Sequence, residues 1–481
     1  MHRRDFCKLL TATALASPLA RMPGRAFNPE SAEATGLASL PAEGRGATGT
    51  LPKVRMHPEW RGLATGDNTP FIPFGAAYFR PNTGWAPQVW KQFDAAATAR
   101  DFDALKANHC NTARIFLAST AFYPKPGALD SQALQKLDTL IALAEAAGIY
   151  LQICGLGGWE GTPAWQRTDV FADPRALEDQ EQFWSLIAGR YKGRGVIFAY
   201  ELANEPVVNW NTPEMQAGWN KWNHKPTPIP PPKDNPGDSA LLYFQHFREH
   251  IADEWTRRQV AAIKKADAVA LVTIGLIQNS IPVIPNPPYV YSGFRPQRQA
   301  KFLDFMEIHF YPLAAGGYWY QSEAIKLANL AYLESLVRET AFPGLPTVLG
   351  EFGWFGGGIC PNFGPPRPAT QQQQADFCAQ ELRTTTPLAC GWLNWAMFDD
   401  PEATDVTRFS GLFTADGKEK LWGKRFAEIS VEYRKNLPPV PLGRIGPRPS
   451  LPWDACLTNS AAAEKFRVEY LKAFEREEFR T

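Results

Sequence analysis

Two short segments carry glutamates in settings suited to paired acid–base and nucleophilic chemistry. Leu202-Ala203-Asn204-Glu205-Pro206 closes one apolar run, and Val348-Leu349-Gly350-Glu351-Phe352-Gly353 closes another. Two carboxylates facing each other across a cavity can cleave a glycosidic bond. One protonates the leaving oxygen, and the other attacks the anomeric carbon or activates water. A carboxyl separation of about 5 Å favours direct attack and retention, because a wider gap leaves room for water. The question is then which elements bring Glu205 and Glu351 to one place.

Short apolar runs at 71–79, 112–117, 149–154, 196–201, 268–274, 305–311, 347–351 and 391–396 read as strands. Longer helical patterns alternate with them. Leu134, Leu137, Ile141 and Ala144 recur at helical spacing until Gly148 stops the run, and further helices are expected near 177–191, 239–265, 321–339, 370–384 and 418–433. Eight strand–helix units imply parallel strands with helical crossovers, and eight is the count of the closed (β/α)8 TIM barrel, an α/β fold. An open doubly wound sheet is the alternative; no GxGxxG follows the first strand. In the barrel, reactive groups gather at the carboxyl ends of the strands, so strands four and seven would present Glu205 and Glu351 to one mouth. Residues 206–238, dense in Trp, Asn and Pro and including Pro228–Pro232, read as a long insertion after strand four. The expected organisation is a signal segment at 1–26, a flexible linker at 27–52 and the barrel at 53–436. A C-terminal extension at 437–481 follows, Pro-rich and then helical over 459–475, packing on the barrel.

Asn204-Glu205-Pro206 and Gly350-Glu351-Phe352-Gly353 resemble the signatures of clan A glycoside hydrolases, most closely family 5, the cellulase/mannanase-like group. The resemblance spans roughly residues 55–435. It implies Glu205 as acid/base, Glu351 as nucleophile, and cleavage of β-glycosidic bonds in a carbohydrate substrate of the β-glucan or β-mannan class. Asn111-Thr112-Ala113-Arg114-Ile115 is similar to the second-strand arginine segment, whose arginine helps keep the nucleophile ionised. A cation beside Glu351 would lower its pKa, as that role requires. His309-Phe310-Tyr311 resembles the sixth-strand His-x-Tyr, whose tyrosine holds the nucleophile. Asn204 would bind the sugar 2-hydroxyl, and Trp395 would form the platform under the cleaved sugar. One position departs from the pattern: strand three runs into Cys154-Gly155-Leu156-Gly157-Gly158-Trp159, with no histidine at its end.

With 16 Trp in the chain, aromatic platforms for the apolar faces of sugars are a natural expectation. Trp159, Trp210 and Trp354 follow strands three, four and seven and are the candidates; Trp85, Trp219 and Trp392 read as packing. Asp399 and Asp400, just past strand eight, suit either sugar hydroxyls or a solvated loop.

Other classes fit less well. A formal net charge of +1 argues against nucleic acid and against an electrostatic membrane surface as partners. Seven His, one of them at a strand end, and no CxxC pair argue against a metal or other cofactor. A silent carbohydrate-binding barrel would keep its tryptophans but lose a carboxylate, and both are present. Arg3-Arg4-Asp5-Phe6-Cys7-Lys8 before a short apolar run is the twin-arginine pattern, which implies export of a folded protein to the periplasm or beyond; a monomer is expected. The six cysteines outside that segment could be buried thiols or disulfides.

Overall fold

The computed structural model describes residues 51–478 except 82, 84–88, 158–162, 164, 167–168, 313–321, 361–366 and 437–446. The signal and most of the linker expected from the sequence, and Trp159, lie outside the described residues.

Eight parallel strands close a barrel: β1 (Phe74–Ala77), β2 (Thr112–Ala118), β3 (Tyr150–Gly157), β4 (Ile197–Asn204), β5 (Val272–Leu276), β6 (Met306–Phe310), β7 (Thr347–Phe352) and β8 (Trp392–Asn394), with β8 pairing back onto β1. The (β/α)8 expectation holds. Strand four runs three residues further than its apolar run, to Asn204, with a bulge between Glu201 and Asn204 that re-aims its end towards the barrel mouth. The first strand is shorter than expected. Pro73 has no amide hydrogen for a ladder, so Pro70–Phe71 falls instead into a three-stranded antiparallel sheet with Arg55–Met56 and Leu63–Ala64.

The crossover helices are α1 (Ala95–Ala107), α2 (Ser131–Ala147), α3 (Pro174–Arg190), α4 (Ser239–Ala266), α5 (Glu323–Ala341), α6 (Gln371–Thr385) and α7 (Leu421–Asn436). Asp94, Asp130, Asp173 and Asp238 cap the first four by accepting from backbone amides of the first turn. Thr370 and Gln373 form a reciprocal capping box on α6. α2 ends at Gly148 in the left-handed conformation, φ 72°, which a side chain would disfavour. The expected repeat fails once. Between β5 and β6 there is no long helix, only the short turns Gln278–Ser280, Pro287–Val290 and Pro296–Gln299, in a stretch that proline interrupts five times between residues 282 and 296.

Phe71, Phe198, Leu271, Phe305, Val348 and Leu393 pack with Val54 and Leu63 across the amino-terminal ends of the strands and seal that end with apolar side chains. The opposite end carries the polar groups. Beyond the barrel, α8 (Trp453–Thr458) packs against α4 and the Pro287–Val290 turn, and α9 (Ser460–Glu478) lies along α5. Trp453 Nε1 donates to Glu339 Oε2 (3.1 Å), and Arg448 Nε and the Tyr470 hydroxyl both donate to Glu334 Oε1 (2.6 and 2.9 Å). The same segment reaches the loops after β4 and β5. The Asn235 amide donates to the Thr458 carbonyl (3.0 Å), the Ser460 amide to Asp234 Oδ1 (2.7 Å), and Arg467 Nη1 to the Val283 carbonyl (2.6 Å). No helix among the described residues is long and apolar enough to cross a membrane. Cys110, Cys154, Cys378, Cys390 and Cys456 are buried free thiols.

Candidate active site

Arg114 on β2 organises the carboxyl end of the barrel. Its side chain is fully buried, and each of its guanidinium nitrogens is engaged. Nε and Nη2 hold Glu201 of β4 in a bidentate pair, both at 2.7 Å. Nη1 donates to Glu351 Oε2 at 2.8 Å, and Nη2 also reaches Asn204 Oδ1 at 2.6 Å. The planar fork thereby fixes strand ends four and seven relative to strand two. Asn204 spends its oxygen on Arg114, which turns its amide nitrogen into the outward donor.

Glu351 receives a second donor on its other oxygen: the Tyr311 hydroxyl stands 2.5 Å from Oε1. His309 of β6 lies between the two glutamates singled out from the sequence. Its Nδ1 is 3.1 Å from Glu205 Oε1 and 3.4 Å from Glu351 Oε2. The three groups bring polar atoms that all lie within 4.8 Å of one another. At least one oxygen of Glu205 therefore lies within 4.8 Å of one oxygen of Glu351. Glu205 remains the most open member, with a quarter of its side chain exposed, while Glu351 is nearly covered. The Glu205 backbone lies in the left-handed region at φ 50°, held there by its amide bond to the Gly275 carbonyl (2.8 Å). Non-glycine residues adopt that conformation at a cost of order 1 kcal/mol, and such outliers concentrate where a side chain must be aimed.

Burial pulls the His309 imidazolium down, but Glu351, Glu205 and Glu307 together outweigh it and raise its pKa to about 10. Burial holds the Glu351 carboxyl above the ordinary carboxylate range, with His309 and Arg114 opposing it. The sequence anticipated the Arg114 contact but not the burial, which is the larger effect. Both Glu351 oxygens accept from donors, an arrangement suited to the ionised carboxylate. Burial also acts on Glu201, yet the Arg114 charge overrides it and keeps that carboxyl low.

Beneath these groups lies a layer that sequence reasoning missed. Gln152 Nε2 on β3 donates to Glu201 Oε2 and to Glu307 on β6, all at 2.9 Å, and these side chains are fully buried. Glu201, Glu307 and His309 have spacing that could hold a cation, but Arg114 already supplies a positive charge against Glu201. A charged residue inside an apolar strand run was the available signal.

The tryptophans divide. Trp395 follows β8, donates its indole N–H to Thr407 Oγ1 (2.9 Å), and packs against Phe79 and Phe116; the latter also receives the Arg114 guanidinium on its face. It stands beside the site and is 4 % exposed. Trp354 corrects the expectation of an open platform: it turns inward onto Phe355 and Phe377 and is 2 % exposed, as covered as Trp395. Trp210 fastens the insertion: its indole N–H donates to the Pro230 carbonyl (3.0 Å), Phe244 meets its edge, and Arg248 covers its face. Asp399 is bound by Lys420 Nζ and the Gly411 amide, both at 2.8 Å, which makes it a loop anchor.

Mannan endo-1,4-beta-mannosidase A of Podospora anserina is 24% identical over 233 residues, covering 46% of this chain and 51% of its own length, so the chain spans about half of that relative. Among solved structures, the exo-beta-1,4-mannosidase of Opitutaceae bacterium strain TAV5 matches with a TM-score of 0.57 at 20% identity, over 82% of this chain and 63% of the other. GH5_18 from Streptomyces cattleya, in complex with GlcNAc, matches with a TM-score of 0.60 at 19% identity, over 86% and 93%. At these identities the structural matches speak to the fold. The model of the cellulase family, glycosyl hydrolase family 5, matches residues 66–399, which carry the whole constellation from Arg114 to Trp395. On that match, the chain belongs to glycosyl hydrolase family 5.

Proposed function

We propose that this enzyme hydrolyses β-mannosidic bonds with retention, through a glycosyl-enzyme intermediate on Glu351. The observation that carries the reading is the close approach of Glu205 and Glu351 across His309. In the first step Glu351 attacks the anomeric carbon, the glycosidic C–O bond breaks, and the Glu205 proton passes to the leaving oxygen. In the second, Glu205 takes a proton from water, the water oxygen attacks the anomeric carbon, and Glu351 leaves as a carboxylate. Asn204, with its oxygen held by Arg114, directs its amide at the 2-hydroxyl, where a contact strengthens in the transition state. Trp395 forms the apolar wall beside the sugar. The mannoside preference rests on the names of the relatives, an endo-1,4-beta-mannosidase and an exo-beta-1,4-mannosidase. Arg3-Arg4 supports export by the twin-arginine route, and the enzyme would act as a monomer outside the cytoplasm.

The test is anomeric analysis by NMR on aryl β-mannosides and β-glucosides, with Glu351→Ala and Glu205→Ala assayed with and without azide. Retained configuration, loss of turnover in both variants and azide rescue to glycosyl azides of opposite anomeric configuration are expected. An inverted first product, or full turnover in either variant, refutes the mechanism. Faster cleavage of the glucoside refutes the mannoside preference.

A further inference from the structure

One nitrogen of His309 faces the two glutamates of the mechanism above. The other faces a carboxylate that no step employs. Nε2 is 3.5 Å from Glu307 Oε1, while Nδ1 looks at Glu205 and Glu351. A neutral imidazole has one N–H and one lone pair, so one of its nitrogens would aim a lone pair at a carboxylate oxygen. Burial and Glu201 raise the Glu307 carboxyl, with His309 and Arg114 opposing; with it ionised, the doubly protonated ring is the form that turns an N–H towards each side. Glu307 is itself held from below. Gln152 Nε2 spans both its oxygens at 2.9 Å and ties it to Glu201, which Arg114 clamps.

The backbone makes room for this arrangement at two glycines. A Cβ at Gly350 of β7 would lie 1.8 Å from Glu307 Oε1, and one at Gly275 of β5 would lie 2.3 Å from Glu201 Oε1 and 2.8 Å from His309 Nε2. Neither position tolerates a side chain while the buried carboxylates stay where they are. The groups facing His309 are therefore Glu205 and Glu201 from β4, Glu307 from its own strand, Glu351 from β7 and Arg114 from β2. Gln152 and the Cys154 thiol stand alongside on β3.

We propose that Glu307 is a positioning residue that keeps His309 an imidazolium, so that its Nδ1–H can follow negative charge from Glu351 to Glu205 and back during each turnover. The inference rests on the carboxylate roles proposed above. In the first step Glu351 loses its charge to the new ester while Glu205 gains one by giving up its proton. The second step reverses both. Nδ1 lies within 3.4 Å of both carboxylates, so a small ring movement changes its acceptor without moving the proton off the ring. Glu307 makes that fixed charge sustainable in a buried site.

The test pairs a pH profile with a direct reading of the ring. In Glu307→Gln, which keeps shape and removes the charge, the alkaline limb of kcat/KM should move acidward by about one pH unit, the scale of a lost charge contact. Glu307→Asp, which retracts the carboxylate, should give a smaller shift in the same direction. Nitrogen-15 NMR of histidine-labelled wild-type enzyme, with His309 assigned by its loss in His309→Gln, should show both ring nitrogens protonated near pH 8. A neutral His309 there, or an unmoved alkaline limb in a folded Glu307→Gln, overturns the proposal. If Glu307→Gln does not fold, the wild-type spectrum decides alone. That spectrum needs no substrate, whereas azide rescue tests Glu205 and Glu351, so the two failures are told apart.

Discussion

Replacing Tyr311 by Phe removes the hydroxyl that donates to Glu351 Oε1 at 2.5 Å, a short contact between a neutral donor and a carboxylate. Hydrogen bonds to charged groups contribute about 1.5–3 kcal/mol, and one pKa unit corresponds to about 1.4 kcal/mol. The bond stabilises only the ionised form, so its loss should raise the Glu351 pKa by about one to two units. Burial already holds that pKa above the usual glutamate range. As the proposed nucleophile Glu351 must be ionised, so activity should be lost as the pH falls through this value. The acid limb of kcat/KM therefore begins above the ordinary glutamate position in the wild type and moves further up in Tyr311→Phe. The assay is kcat/KM on an aryl β-mannoside across the acid range, with thermal melting as a control. Folding stability at neutral pH should fall by no more than about 1.5–3 kcal/mol, the value of that bond to the ionised carboxylate, because Glu351 keeps Arg114. An acid limb that stays put, or shifts downward, shows that the Tyr311 hydroxyl does not set the charge on Glu351.

Two further outcomes follow from the packing. Arg114→Met removes the cation from between Glu201 and Glu351 and leaves two buried carboxylates facing each other; a loss of about 3–5 kcal/mol in unfolding free energy is expected, with activity abolished, and a melting temperature equal to wild type contradicts the reading. Trp354→Ala should cost about 3–5 kcal/mol of stability, measured by denaturant unfolding, while leaving KM unchanged; a raised KM at full stability would return this residue to the binding surface.

The parts of the site legible in the sequence are those whose meaning is local. Asn204-Glu205-Pro206, Gly350-Glu351 and His309-Phe310-Tyr311 each place a reactive side chain at a strand end, and the strand order then brings them together. Arg114, inside its strand, was legible through the resemblance of Asn111-Thr112-Ala113-Arg114-Ile115 to the second-strand arginine segment. Glu201, Gln152 and Glu307 were not, because each stands inside a run whose apolar neighbours dominate the reading. Glu307, His309 and Tyr311 do fall at alternate positions, the period of one strand face, which was a usable clue. The tryptophans failed differently. Trp354 follows a strand on the catalytic side, but which way an indole turns depends on the helix packed beside it, here through Phe377 of α6. In the fold, the eight alternations were clear, whereas the proline-broken crossover after β5 and the loss of Pro70–Phe71 to a separate sheet depended on amide hydrogens that proline lacks.

The segment along α5 has a consequence in time. It ties the loop after β4 through Asp234 and the loop after β5 through Val283, contacts between residues 226 and 184 positions apart in the chain. Closing such long loops is slow, and the reward comes only when both ends are present. The rim of the cleft should therefore be among the later parts to assemble. It should also be among the earlier parts to open, since contacts at Ser460 and Arg467 are partly solvent-exposed while the barrel beneath is buried. Hydrogen exchange would then show two clocks in one molecule: a slow one for the strands that hold the carboxylates, and a faster one for the loops that frame the cleft.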